Sequence, residues 1–365
     1  MWSTTTLESG HHRGVIVIKG TDLRPRTVRE NTQTAASITS FAMSGLRLIS
    51  IFLVLLAGFE LQKAEGTAYS DKVLMNSSMY NYNMQSHSGP PMWKDQCYGE
   101  RQSPINLDDV ESIPTEFPLL EWTGHWNERE EGFILRNTWH SAEIAYTGEA
   151  PFIRGGPLTS EYVLAQVHFH WGNSPREGSE HSLDTHFYGM EAHLVHYNTE
   201  FGSVEAAAGH LDGLAVVGIF FKSSRGNNQE LNGIVTELEK IIEGDSSTRI
   251  DGDAMEWLEA YADLQNYYTY SGSLTTPPCS EIVTWIVMKD PVLIGERQIE
   301  EFKKLKGHEG NITSNVRPVQ ELKGRQVFHS NYGFSRNSAS IRFAPSLSGL
   351  IGMYLLFVLL FTQGK

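Results

Sequence analysis

The sequence predicts one mainly β domain over residues 78–335, with a large twisted, mostly antiparallel central sheet and short surface helices. Three observations lead there. Short apolar or alternating runs dominate, among them FILRNTW, SAEIAY, YVLAQVHFHW, EAHLVHY, GLAVVGIFF, EIVTWIVM and RQVFHS, and alternation is what a half-buried strand requires. Turn signals such as GG, GNSP, SGS and TTPP separate the runs. Helical periodicity is clear only over residues 229–243, where Leu231, Ile234, Val235, Leu238, Ile241 and Ile242 share a face, and over residues 295–306 with Ile299, Phe302 and Leu305. No repeat or low-complexity break divides the domain.

Composition is compatible with a sizeable core: 365 residues, 40% hydrophobic and 11% aromatic. The net charge of −14 lacks the clustered Lys and Arg that phosphate binding needs, so no nucleic-acid partner is expected. Cys97 and Cys279 are the only cysteines. They are two buried thiols or, in an exported chain, one disulfide, and no clustered spacing suggests a sulfur-ligated metal.

From the N-terminus, residues 1–42 are polar and rich in Thr, Ser and Arg, without apolar period. Residues 43–64 follow as a signal-peptide pattern: Met43, Arg47, then an apolar run over 48–59 too short to span a bilayer. Met43 is therefore expected to be the true start, with residues 1–42 an extension of the gene model or unstructured. At the other end, small residues (Asn337, Ser338, Ala339, Ser340) open a spacer over 336–346, and a hydrophobic tail fills 347–365. That order is the signal for a glycosylphosphatidylinositol anchor, whose tail is removed. The alternative, a transmembrane helix, needs a longer run and a basic flank, and only Lys365 is available. An exported chain favours the disulfide. Asn76 and Asn311 begin N-x-S/T sequons, candidate glycan sites.

The chemistry concentrates in residues 166–198, which hold His168 and His170 two apart and then His193 in a second run. Strand side chains alternate faces, so Gln166, His168 and His170 point one way, as do Glu191, His193 and Val195. Two such strands side by side converge three imidazoles with an amide and a carboxylate behind them. A lone histidine in an apolar strand is usually a core group, and His181, His186 and His196 are taken as such. Three histidines with an open fourth position form a catalytic rather than a structural zinc arrangement.

Further motifs now fall into a known order: GERQSPINL at 99–107, HFHWG at 168–172, GSEHSLD at 178–184, EAHLVHYN at 191–198, GLAVVGIFF at 213–221, YSGSLTTPPCSE at 270–281, VTWIV at 283–287 and NVRPVQ at 315–320. The chain resembles the α-class carbonic anhydrases over residues 82–334, in particular membrane-anchored extracellular animal forms. The resemblance implies Zn2+ as cofactor on His168, His170 and His193, supported by Gln166, Glu191 and the backbone carbonyl of Asn315. It implies reversible hydration of CO2 to bicarbonate and a proton by a zinc-activated hydroxide. Thr275 and Glu180 would orient that hydroxide, Thr276 would line the site, and Val195, Val216, Leu274 and Trp285 would form an apolar wall for CO2. His140 stands at the family's proton-shuttle position and Tyr82 at the tyrosine of its water network, with Tyr80 and Asn81 diverging around it. Trp139 replaces a usual glycine beside the shuttle, which is expected to restrict the imidazole's swing. Cys97 and Cys279 match the single disulfide of extracellular members, and Arg317 and Glu281 look structural. The rival reading is a silent binding or adhesion ectodomain of the same fold. Such proteins lose ligand histidines, and all three stand here.

Overall fold

Alternating burial builds the sheet. In the computed structural model, which describes residues 80–123, 132–146, 150–261 and 265–330, ten strands follow one another across it. They are β1 Ile113–Thr115, β2 Phe133–Asn137, β3 Ala142–Tyr146, β4 Tyr162–Trp171, β5 Met190–Asn198, β6 Leu214–Ser224, β7 Ser247–Ile250, β8 Tyr267–Gly272, β9 Val283–Met288 and β10 Phe328–Ser330. Their order is β7-β2-β3-β4-β5-β6-β9-β8-β10-β1, and three short strands off this path complete a 13-stranded sheet. Most neighbours are antiparallel, as expected. The exceptions on the path are β6 with β9, from Leu214 beside Val283, and β10 with β1.

The two faces of the central strands bury different cores. Phe169, Trp171, Leu194, Val217 and Ile219 point to one side, where they meet Leu231, Ile234, Leu238, Ile241, Trp257 and Phe302 from the helical segments. Val195, Val216, Phe220, Trp285 and Val287 point to the other with Ile105, Leu107 and Tyr268. Each such side chain contributes about 1.5–3 kcal/mol when fully buried, so a one-residue slip that exchanged the faces would be strongly disfavoured.

The helices depart from expectation. Residues 229–243 do not form one helix but a 3-10 turn Gln229–Leu231, an α turn Asn232–Val235 and a second 3-10 turn Leu238–Ile241. The apolar face is buried as the periodicity requires, but Gly233 sits where a Cβ would lie 2.9 Å from the Ala254 Cα. Gly233 thus permits close packing against Gly252–Tyr261 from within the α turn, and the change to the second 3-10 turn comes after it. The second helix is shorter than its period, Glu296–Phe302.

Residues 1–42, the 43–64 segment, Asn76, the 336–346 spacer and the 347–365 tail lie outside the described residues. Among the described residues, no helix is long and apolar enough to cross a membrane.

Candidate metal centre

The pair β4 and β5 places His168 directly opposite His193, and β6 flanks the latter with Gly218. A register shift between Leu164 and Gln166 precedes the histidines, leaving Gln166, His168 and His170 in step on one face. A Cβ on Gly218 would lie 3.1 Å from Glu191 Oε1, so the glycine leaves room for that carboxylate behind the imidazoles.

Each ring is held by its far nitrogen. His168 Nδ1 donates to Gln166 Oε1 at 2.9 Å, His170 Nδ1 to the Asn315 carbonyl at 2.8 Å, and His193 Nε2 to Glu191 Oε1 at 2.9 Å. That leaves Nε2 of His168 and His170 and Nδ1 of His193 as lone-pair donors. The three residues offer ligand atoms within 4.8 Å of one another. His170 Nε2 is buried without a hydrogen-bond partner, the costly condition that a bound cation removes. Burial, joined by the neighbouring imidazoles, depresses all three pKa values, His170 to about 3. Neutral imidazoles in this number suit zinc.

Glu191 does more than support His193. It also accepts from His181 Nδ1 at 2.7 Å and from the backbone N–H groups of Glu180 and His181 at 2.9 and 2.8 Å. Burial pushes its carboxyl up, but His181 and His193 outweigh that and hold it well below the usual range. His181 is thus a buried core group, its Nε2 accepting from Tyr270 at 2.6 Å. His196 is buried too. His186 is not: it is exposed in a turn, bonded to the Asp184 carbonyl, because Leu183 pairs back onto residue 186 in a tight bridge rather than continuing a strand.

Glu180 is fully buried and its Oε1 accepts from the Arg317 backbone N–H at 2.8 Å. Burial raises its pKa well above the ordinary value, against the opposing effect of Thr275 and then Arg317. Thr275 thus favours the charged form, and Glu180 Oε2 is buried without a hydrogen-bond partner among the described residues. The Arg317 guanidinium bonds Gln102, Ser103 and Cys97, and Glu281 bonds Arg101 and Gln102. Both are structural groups, as expected, apart from the Arg317 N–H on Glu180.

Gln166, the three histidines, Val195, Val216, Leu274, Thr275, Thr276 and Trp285 line one cavity, with His140, Tyr80 and Tyr82 at its wall. Its volume of about 40 Å³ admits a triatomic molecule or a water, not a ligand needing the ~300–1,000 Å³ of ordinary binding pockets. It adjoins a wider vestibule of about 960 Å³ that shares Tyr80, Tyr82 and His140. A separate cavity of about 790 Å³ around Asn227, Trp257 and Asp290 shares none of these residues.

Cys97 and Cys279 form a disulfide just beyond the TTPP turn. Asn311 is exposed. Asn315 exceeds its expected part: its side chain also bonds the carbonyls of His140 and Phe169 and the Trp171 N–H. Sequence parity does not find that role, or the Arg317 N–H, because both come from an irregular segment.

Fold and donor set together define a β-sheet protein with a three-histidine cluster able to hold a metal ion. The chain belongs to the eukaryotic-type carbonic anhydrases, whose family profile matches residues 88–331. It is 36% identical to carbonic anhydrase 3 of Bos taurus over 251 residues, covering 66% of this chain and 95% of that protein. It is 34% identical to carbonic anhydrase 15 of Mus musculus over 269 residues, covering 69% and 83% respectively.

Proposed function

We propose that the protein catalyses the reversible hydration of CO2 to bicarbonate and a proton, using zinc on His168, His170 and His193. The observation that carries this reading is the set of three neutral imidazoles, each aimed by a bond from its far nitrogen, with His170 Nε2 buried and unpartnered. Zinc bound there supplies a Lewis acid that makes water nucleophilic near neutral pH. Gln166, Glu191 and the Asn315 carbonyl fix the ligand tautomers. Thr275, backed by Glu180, would accept a hydrogen bond from the attacking oxygen and so aim its lone pair, a matter of near-attack geometry. Val195, Val216, Leu274 and Trp285 offer CO2 an apolar wall and give bicarbonate no polar grip. Thr276 and Tyr82 border the water that carries the proton outward, and His140 receives it.

The outer-leaflet location is part of the proposal: export through the 48–59 segment and lipid anchoring through the 347–365 tail, with glycans at Asn76 and Asn311. The disulfide supports an oxidising compartment. The rival, a silent binding ectodomain, is disfavoured by the intact donor set.

The test is CO2 hydration by the purified glycoprotein, with its zinc content. Stoichiometric zinc and activity lost by about 10²-fold in Thr275→Ala are expected; a folded, zinc-loaded protein without hydration activity would overturn the reading. Release from cells by a phosphatidylinositol-specific phospholipase checks the anchor.

A further inference from the structure

His140 is caged. Its ring stacks on Tyr80 with centroids 4.0 Å apart and planes at 9°. On another side it meets His308 edge-on at 5.6 Å, and His308 in turn stacks on Trp139 at 4.5 Å and 7°. Trp139 is held in the left-handed region at φ 69°, with its N–H on Asn137 Oδ1 at 2.9 Å. Its indole covers Gly244 so closely that a Cβ there would lie 2.2 Å from the ring. The Asn315 side chain grips the His140 carbonyl at 3.0 Å. The imidazole therefore has little room to swing between an inward and an outward position.

A caged ring has trouble reaching solvent. His140 is 7% exposed, so a buffer base cannot easily collect a proton from it. Burial, helped by the charge of His308, lowers its pKa to about 4, so a proton does not stay on it at neutral pH. The other titratable groups packed around it are Tyr80 and Tyr82, whose phenols burial keeps protonated. His308 differs. It is exposed at the turn between Lys306–Gly307 and Gly310–Asn311, on the rim of the vestibule.

We propose that His308 is the outer member of a two-imidazole proton exit, taking the proton from His140 and passing it to a buffer base in solvent. His140 accepts a proton at one ring nitrogen and releases one from the other. The edge-on spacing suits transfer through a single bridging water, which gives a proton to His308 as it receives one from His140. His308 then loses its own to the buffer. One proton moves outward, and each N–H or O–H bond formed is matched by one broken. This role rests on the CO2-hydration reading. It makes Trp139, which would otherwise only obstruct His140, the platform that holds His308 in line.

The test compares His308→Phe, which keeps a ring on Trp139 but removes the titrating nitrogens, with His308→Ala and the wild type. In dilute buffer kcat is expected to fall on the order of tenfold in both variants, less than the hundredfold or more at stake for a group acting at the reacting atoms. kcat/KM, which ends before proton release, is retained, and excess imidazole buffer restores kcat. NMR titration of the His140 ring gives a readout independent of turnover: its apparent pKa should rise when His308 is replaced by Phe. Wild-type kcat in His308→Phe at low buffer, or an unmoved His140 titration, overturns the relay while leaving the hydration reading intact. A zinc-loaded wild type without hydration activity overturns the hydration reading and the relay with it.

Discussion

The three-histidine cluster and the proposed proton exit adjoin through the cavity that His140 and Tyr80 also line, but they are built in opposite ways. The centre stands on β4 and β5, flanked by β6, where hydrogen-bonded register fixes His168 opposite His193 and Gly218 beside it. The exit is made of connections: the β2–β3 turn carries Trp139 and His140, the Lys306–Asn311 hairpin carries His308, and Tyr80 comes from the N-terminal segment. Paired strands aim side chains through backbone bonds shared along their length. The exit is aimed by ring stacking, each contact worth about 0.5–1.5 kcal/mol beyond burial. Backbone pairing thus aims the groups proposed to ligate the metal, whereas ring contacts between turns cage the groups proposed to hand the proton on.

That contrast can be broken most severely at the centre. His170→Ala should abolish stoichiometric zinc binding and hydration together, read by metal analysis of the purified protein. Zinc retained at full occupancy would mean that the three-histidine donor set is wrongly drawn. One layer back, Glu191→Gln should cost about 10–100-fold in zinc affinity, measured by competition with a chelator. It also weakens the acceptor for the Glu180 and His181 N–H groups, so a fall in the urea midpoint should accompany it.

Acid tests the exit and the strand behind the three-histidine cluster at once. His140 and His196 have pKa values lowered to about 4 and about 3, chiefly by burial, whereas in the unfolded chain they return to about 6.5. Between those values the unfolded state binds more protons, so stability rises with pH across the window. It should be fully present above about 6.5 and decline as pH falls through 4 toward 3. Urea midpoints at a series of pH values would show it, and a flat profile between 6.5 and 4 would contradict the burial of these rings.

The smallest change is expected at the exit. Trp139→Gly relieves a left-handed residue costing about 1–2 kcal/mol but removes the stack on His308, and the two effects are of similar size. The melting temperature should shift by no more than about 2–4 °C. A much larger drop would make the Trp139 platform a principal support of this face of the fold.

What could be read without coordinates follows the same division. The alternating runs identified β2 to β6, β9 and β10, and two-residue parity alone selected His168, His170, His193, Gln166 and Glu191. The burial face of residues 229–243 was legible as well, but not its division into an α turn and two 3-10 turns. The histidines outside the centre were harder: parity cannot separate His181, locked between Glu191 and Tyr270, from His186, turned to solvent. A displaced glycine signalled trouble at Trp139 but gave no hint of His308.

The sequence by itself determined which side chains share a face, because strand alternation is a property of consecutive residues. Its motifs pointed to the family as well. Only the tertiary structure decided what lies across a loop: the Asn315 side chain on the His140 carbonyl, the Arg317 N–H on Glu180, and the rings around His140. Those contacts join residues far apart in the chain, through backbone groups and turns that no local period encodes.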